Sequence, residues 1–125
     1  MITIVARVLA VLALLGSAWI HFDLWTVGYQ DIEIVGPLFL VNAVAGVVIA
    51  VAVALWRHWL PALATVGFGA ATLGAYLLSV TVGLFGMQND FSGTPALLAA
   101  IAEAVCVVAG AVLLLRQRTR VGRAA

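Results

Sequence analysis

Four long apolar runs make up most of the chain, and short polar stretches separate them. The runs cover about residues 4–20, 35–56, 60–85 and 95–115. A hydrocarbon core about 30 Å thick takes roughly 20 helical residues to cross, and lipid offers no hydrogen bonds to an exposed backbone. Each run is therefore predicted to be a transmembrane helix. The pattern predicts an all-α membrane protein in which residues 1–125 form a single integral domain, a four-transmembrane-helix bundle.

Composition supports this interpretation. Hydrophobic residues make up 66% of the chain and charged residues 9%, whereas soluble domains carry about 25% charged residues. This leaves no room for a separate soluble domain. The first run also has the features of a signal peptide, with Gly16 and Ala18 as small residues before a cut. Residues 19–22 extend the apolar run and favour a retained span, but cleavage to a three-span protein stays open.

The charges divide between the two sides of the predicted bundle. All six basic residues are Arg, and four crossings bring Arg7, Arg57 and the C-terminal tail to one side. The acids Asp23, Asp31, Glu33 and Asp90 fall on the other side. The positive-inside rule then predicts cytoplasmic N- and C-termini. We expect about 1 kcal/mol of attraction to anionic lipids from each tail arginine: Arg116, Arg118, Arg120 and Arg123. A nucleic-acid partner is not expected.

Small and polar residues recur every three or four positions in each run. Such residues let helix backbones approach closely in lipid, so these faces are predicted to point inward. An alternative is that part of one stripe forms a dimer interface. The stripes are Ala6, Ala10, Ala13, Ser17 and His21; Asn42, Gly46, Ala50 and Ala54; Gly67, Ala71, Ala75, Ser79 and Gly83; and Ala99, Glu103, Cys106 and Gly110.

Glu103 is the acid that lies within an apolar run. A rise of 1.5 Å per residue places it about 12 Å below the outer boundary, with Asn42, Tyr76 and Ser79 in the same layer. An ionised carboxylate at this depth costs several kcal/mol unless it is paired. The sequence indicates no cationic partner there, so we expect Glu103 to keep its proton and to bridge Tyr76, Ser79 and Asn42. A structural clasp and a proton-carrying site are both open.

The loop after the first run is a second candidate site, at the outer surface. It carries His21, Asp23, Trp25 and Tyr29, a set that an aromatic belt and a solvated loop explain best. His21 and Asp23 are too few ligands for a metal site. His21 and His58 are predicted at opposite membrane surfaces, so they cannot ligate one haem iron. We therefore predict no metal and no cofactor.

A longer pattern runs through the loop and the second run. It comprises His21, Leu24, Trp25, Gly28, Tyr29, residues 36–39 (GPLF), Asn42 and residues 83–86 (GLFG). This pattern resembles that of small four-span membrane proteins of actinobacteria. The resemblance covers most of the chain and implies a multi-pass protein of the bacterial cytoplasmic (inner) membrane. It carries no assigned activity, so it transfers no functional residues.

Groups for catalysis are scarce. The chain has no Lys for a phosphate-binding loop or a Schiff base, and no cysteine pair. Ser17 and His21 lie one helical turn apart, which is weak evidence for a nucleophile and base. We expect a non-enzymatic accessory or structural subunit of a membrane complex, as a homo-oligomer or with a larger partner. The alternative is a small proton-linked transporter or channel that acts through Glu103 in a homo-oligomer, and a membrane enzyme ranks third.

Overall fold

The computed structural model describes residues 1–84 and 93–124, and within them the regular structure is helical. Each of the four long helices is long and apolar enough to cross a membrane, as predicted. A short 3₁₀ turn, Tyr29–Asp31, lies between the first two. The helices are α1 (Ile2–Thr26), α2 (Val35–Leu55), α3 (Trp59–Thr81) and α4 (Thr94–Ala124).

Helix α1 extends beyond its predicted end at residue 20. It continues to Thr26, and the chain turns away at Gly28, whose φ of 146° suits a glycine. The predicted end is wrong because His21 and Asp23 interrupt the apolar run without interrupting the helix. Helix α3 ends at Thr81, earlier than predicted, and Gly83 (φ 88°) closes it by donating its N–H to the Leu78 carbonyl at 2.8 Å.

Some sequence predictions fall outside the described residues. Asp90, assigned above to the outer side, is one of them, and residues 85 and 86 of the GLFG segment are others. The Arg120 backbone belongs to α4, but its side chain is not described.

The helices pack in the order α2, α1, α4, α3. Helix α1 packs on both α2 and α4, and α4 also packs closely on α3, whereas α2 and α3 touch far less. Three of the predicted small faces point into this bundle. Ala6, Ala10, Ala13 and Ser17 of α1 are buried, as are Asn42, Gly46 and Ala50 of α2, and Ala99, Glu103, Cys106 and Gly110 of α4. Ala54, the last member of the α2 stripe, is exposed.

The stripe predicted for α3 does not form one inward face, although its member Ser79 is buried. Gly67 and Ala71 are exposed, and a Cβ added at Gly67 would meet nothing within 4 Å. Ala62, Thr65 and Gly69 are buried instead, and Ala62 and Gly69 lie against α4. At Gly69 an added Cβ would lie 2.5 Å from the Glu103 carbonyl oxygen and 2.9 Å from the Cys106 Cβ. The close approach of α3 and α4 therefore depends on Gly69.

The outer surface of the bundle is strongly apolar. Leu12, Val44, Ile101 and Val108 are typical, with 61%, 58%, 55% and 65% of their surface exposed. Soluble monomers rarely expose apolar surface over such continuous areas. Small residues inside and large aliphatic residues outside are the arrangement that lipid-embedded helices adopt. With the four spanning-length helices, this surface suggests a multi-pass membrane protein.

Candidate functional site

The candidate site is centred on Glu103, which lies on the inner face of α4 and is 1% exposed. Gly69 of α3 packs directly against the Glu103 backbone, where only a hydrogen atom fits. The carboxyl group meets polar side chains of α1. The Ser17 hydroxyl donates to Glu103 Oε1 at 3.4 Å, and His21 Nε2 lies 3.8 Å from the same oxygen.

His21 thus belongs to the bundle interior and not to the outer surface. Its side chain is 14% exposed, because α1 continues past residue 20 and turns His21 towards α4. The prediction that Glu103 has no potentially cationic neighbour in this chain is therefore wrong. The physical signal was present in the α1 stripe, since His21 follows Ser17 by one helical turn on the same face.

The contacts of His21 determine which ring nitrogen carries hydrogen. Nδ1 lies 2.8 Å from the Ser17 carbonyl oxygen. A carbonyl only accepts, so Nδ1 must be the donor in this bond. In the neutral ring Nε2 is then the acceptor, and Nε2 is the atom that faces Glu103. In the neutral ring His21 Nε2 therefore presents a lone pair towards the Glu103 carboxyl group, at a distance longer than a hydrogen bond.

This geometry does not support Ser17 as a nucleophile. Its hydroxyl lies 3.4 Å from His21 Nδ1, the nitrogen that donates to the Ser17 carbonyl. A nitrogen that already carries a hydrogen cannot remove the hydroxyl proton, which a general base must do. Ser17 is also fully buried. The weak nucleophile–base interpretation of Ser17 and His21 thus has no geometric support.

The other carboxyl oxygen lies in a different environment. Glu103 Oε2 is buried and has no hydrogen-bond partner among the described residues. Thr72 of α3 lies beside the carboxyl group, while its hydroxyl donates to the Phe68 carbonyl at 2.6 Å. A buried oxygen without a partner is unfavourable for an ionised carboxylate.

The residues predicted to surround Glu103 are placed as follows. The Ser79 hydroxyl donates to the Tyr76 carbonyl at 2.7 Å, within α3. Asn42 is buried in α2, and neither polar atom of its side chain has a hydrogen-bond partner among the described residues. The neighbours of the Glu103 carboxyl group, Ser17, His21 and Thr72, thus differ from the predicted set.

Aromatic rings cover the site on the side of the α1–α2 loop. The Phe39 ring contacts His21 edge-on at 4.9 Å between centroids and stacks on Tyr29 at 4.8 Å. Tyr29 and His21 of the second predicted set are therefore linked through Phe39. Asp23 and Trp25 are not part of this stack: Asp23 is exposed, and Trp25 stacks on Phe22 at 6.0 Å.

Sequence reasoning did not assign Thr72 and Phe39 to the site. Thr72 lies three residues after Gly69, on the α3 face that meets α4, and a correct choice of face would have indicated it. Phe39 carried no comparable signal, because one aromatic residue in an apolar run is ordinary. Among the described residues, no three His, Cys, Asp or Glu side chains could hold a metal ion.

Comparison with known proteins adds no assignment. No protein family, curated protein or solved structure matches this chain. Any function must therefore be argued from the site itself.

Proposed function

We propose that this chain is a multi-pass protein of a bacterial inner membrane and that it takes part in proton-linked transport through His21 and Glu103. The observation that supports the proposal is the 3.8 Å separation between His21 Nε2 and Glu103 Oε1. Ionisable groups inside membranes are rare and tend to mark ion and proton pathways. A buried acid beside a buried base is the smallest unit that can take up and release a proton there.

The pair has three charge states. With one proton on the facing atoms it is neutral overall, either as a carboxyl group beside neutral imidazole or as a carboxylate beside imidazolium. Losing that proton leaves a net charge of −1, and gaining a second gives +1. The distance of 3.8 Å between His21 Nε2 and Glu103 Oε1 is less than 1.5 Å longer than the length of a hydrogen bond, which is about 2.7–3.2 Å. A side-chain rotation is enough to transfer the proton within the neutral state.

Access to the pair differs between the two ends of the bundle. His21 retains 14% exposure and lies below Phe39 and Tyr29, near the α1–α2 loop. Towards the other end the core is apolar, and Leu14, Cys106 and Leu113 are at most 1% exposed. In this conformation the apolar core closes one side of the pair, and the rings of Phe39 and Tyr29 cover the loop side. A transport cycle then requires a second conformation that opens the apolar side.

The test is proton flux into liposomes that contain the purified protein, measured with an internal pH-sensitive dye under an imposed pH gradient and membrane potential. We expect flux from the wild type and none from Glu103→Gln, because an amide cannot release a proton. His21→Gln should slow the flux. The matched control is Glu33→Gln, which makes the same chemical change outside the pair.

Two outcomes would overturn the proposal. One is wild-type flux from the Glu103→Gln protein, and the other is equal loss of flux in Glu33→Gln. Infrared spectroscopy provides a separate readout of the pair. A carboxyl C=O band that disappears in Glu103→Gln and shifts in His21→Gln is expected if these two groups share a proton.

A second candidate is the non-enzymatic accessory subunit. The exposed small residues Gly67 and Ala71 of α3 favour it, because a helix of another subunit could approach closely there. The test is the native mass of the protein purified in mild detergent from its host. This role is supported if a larger protein copurifies in a fixed ratio, is lost from the Gly67→Leu variant and is retained by the Gly16→Leu variant. A homo-oligomer without a companion favours the self-contained transporter instead. In an accessory subunit Glu103→Gln retains function and abundance, whereas Glu103→Leu lowers abundance.

A further inference from the structure

Among the described side chains, four arginines line one cleft at the end of the bundle where α1 begins. The cleft has a volume of about 780 Å³ and contains Arg7, Arg57, Arg116 and Arg118. Among the described residues that line it there is no Asp or Glu. Guanidinium groups gathered around one cavity repel one another, and an anion between them reduces that repulsion. The cleft is therefore electrostatically suited to a phosphate group.

Separate segments build the cleft, and two contacts organise it. Arg7, from the first turns of α1, donates to the Val53 carbonyl near the end of α2, which holds this arginine against one wall. His58 caps α3 by accepting the Leu60 N–H on Nδ1 at 3.2 Å. In the neutral ring this leaves Nε2 as a donor. His58 also lines the cleft and adds a donor beside the arginines.

The remaining walls are not those of a site for a small soluble anion. Trp59, Leu63 and Leu114 contribute apolar surface to the same cleft. Gln117 lines it as well, and its Oε1 atom is buried without a hydrogen-bond partner among the described residues. An amide oxygen can only accept a hydrogen bond. The cleft thus combines donors for phosphate, an acceptor for a hydroxyl group and an apolar wall for hydrocarbon.

We propose that this cleft binds an anionic phospholipid whose headgroup carries a free hydroxyl, such as phosphatidylglycerol. The arginines contact the phosphodiester oxygens, Gln117 Oε1 accepts from a headgroup hydroxyl, and an acyl chain lies along Trp59 and Leu63. Basic pockets between membrane helices bind such headgroups. The site is distinct from the general attraction expected of the arginine tail, because Arg7 and Arg57 belong to it and Arg123 does not. It does not depend on the proposed proton transport.

The test is native mass spectrometry of the detergent-solubilised protein titrated with phosphatidylglycerol, phosphatidic acid, phosphatidylcholine or inorganic phosphate. We expect wild type to bind one phosphatidylglycerol per chain and to bind phosphatidylcholine more weakly. Arg57→Gln and Arg116→Gln should each weaken phosphatidylglycerol binding about fivefold. Arg123→Gln, with an exposed arginine outside the cleft, is the matched control and should change binding less than twofold. Gln117→Leu should weaken binding of phosphatidylglycerol but not of phosphatidic acid, which lacks the headgroup hydroxyl.

Three results would overturn the proposal. Equal weakening by Arg123→Gln would mean that the tail acts only as diffuse charge. Equal affinity for phosphatidylcholine would remove the role of the arginines. Inorganic phosphate that competes at the same concentration as the lipid would indicate a site for a soluble anion. Protection of Cys106 from thiol reagents, measured for every variant, separates a binding defect from a folding defect.

Discussion

The substitution Gly69→Ala gives the sharpest test of how α3 and α4 pack. A methyl group at this position would lie 2.5 Å from the Glu103 carbonyl oxygen, 2.9 Å from the Cys106 Cβ and 3.0 Å from Val107 Cγ2. The nearest of these atoms belongs to the backbone of α4, so no change of side-chain rotamer relieves the contact. The two helices must move apart instead.

The structure sets the size of the effect. Ordinary van der Waals contact requires α3 and α4 to separate locally by about 1 Å, which removes dispersion contacts along the interface. Overpacking typically costs about 1–3 kcal/mol, and a backbone obstacle places Gly69→Ala near the upper end, at roughly 2–3 kcal/mol. Gly67→Ala makes the same chemical change where nothing lies within 4 Å. Alanine favours a helix over glycine by up to about 1 kcal/mol, so this control should not destabilise the protein.

The assay is thermal unfolding in detergent followed by circular dichroism, together with the proton flux proposed above. We expect Gly69→Ala to melt at a lower temperature than wild type and Gly67→Ala to melt at the wild-type temperature or higher. Because Glu103 moves with the α4 backbone, Gly69→Ala should also reduce flux. If the two variants are equally stable, the packing of α3 on α4 described here is wrong. If Gly67→Ala is the less stable one, the sequence-predicted α3 face is the right one.

Three further predictions test the buried core. Cys106 is fully buried, so a maleimide should label it in the wild type only after denaturation. Mass spectrometry should show that Gly69→Ala, in which α3 and α4 are pushed apart, is labelled faster than the wild type. Leu113 is 1% exposed and Leu115 is 63% exposed. Leu113→Ala should lower the free energy of unfolding by about 2 kcal/mol, because it leaves a cavity in the core. Leu115→Ala is the control and should not measurably lower the free energy of unfolding. Asn42→Leu should leave the melting temperature unchanged or raise it, because it removes a buried amide without a partner among the described residues; a clear decrease would show that Asn42 has a polar partner.

The hydrophobic pattern predicted the four helices because length and apolarity are local properties of the chain. It also predicted the inward faces of α1 and α4, whose small residues alternate between three and four positions apart. That spacing averages close to the helical repeat of 3.6 residues, so the stripe stays on one side. The α1 and α4 stripes are buried throughout their small residues. These two predictions were therefore correct because of the spacing of the small residues, and not because of their number.

The α3 stripe was wrong for the same geometric reason. Its members are four residues apart without exception, and each such step overshoots a full turn by about 40°. Five members then spread over roughly 160° of the helix surface, so they cannot all face α4. The inward row, Ala62, Thr65 and Gly69, uses steps of three and four. Ala54, reached in α2 by three steps of four from Asn42, drifts out to the surface in the same way.

The placement of His21 shows which part of the sequence argument should have prevailed. Hydropathy ended the first helix at residue 20, because polar residues follow, and this put His21 at the membrane surface. The helical face of Ser17 continued to His21, and a face is set by backbone geometry that polar residues do not interrupt. In the structure α1 continues past residue 20, so His21 stays on the inward face with Ser17. His21 Nε2 lies 3.8 Å from Glu103 Oε1. When a buried acid lacks a partner, the small faces of neighbouring helices should therefore be followed past the ends that hydropathy assigns. Here that step turns an isolated carboxyl group into a carboxyl group with a basic neighbour 3.8 Å away.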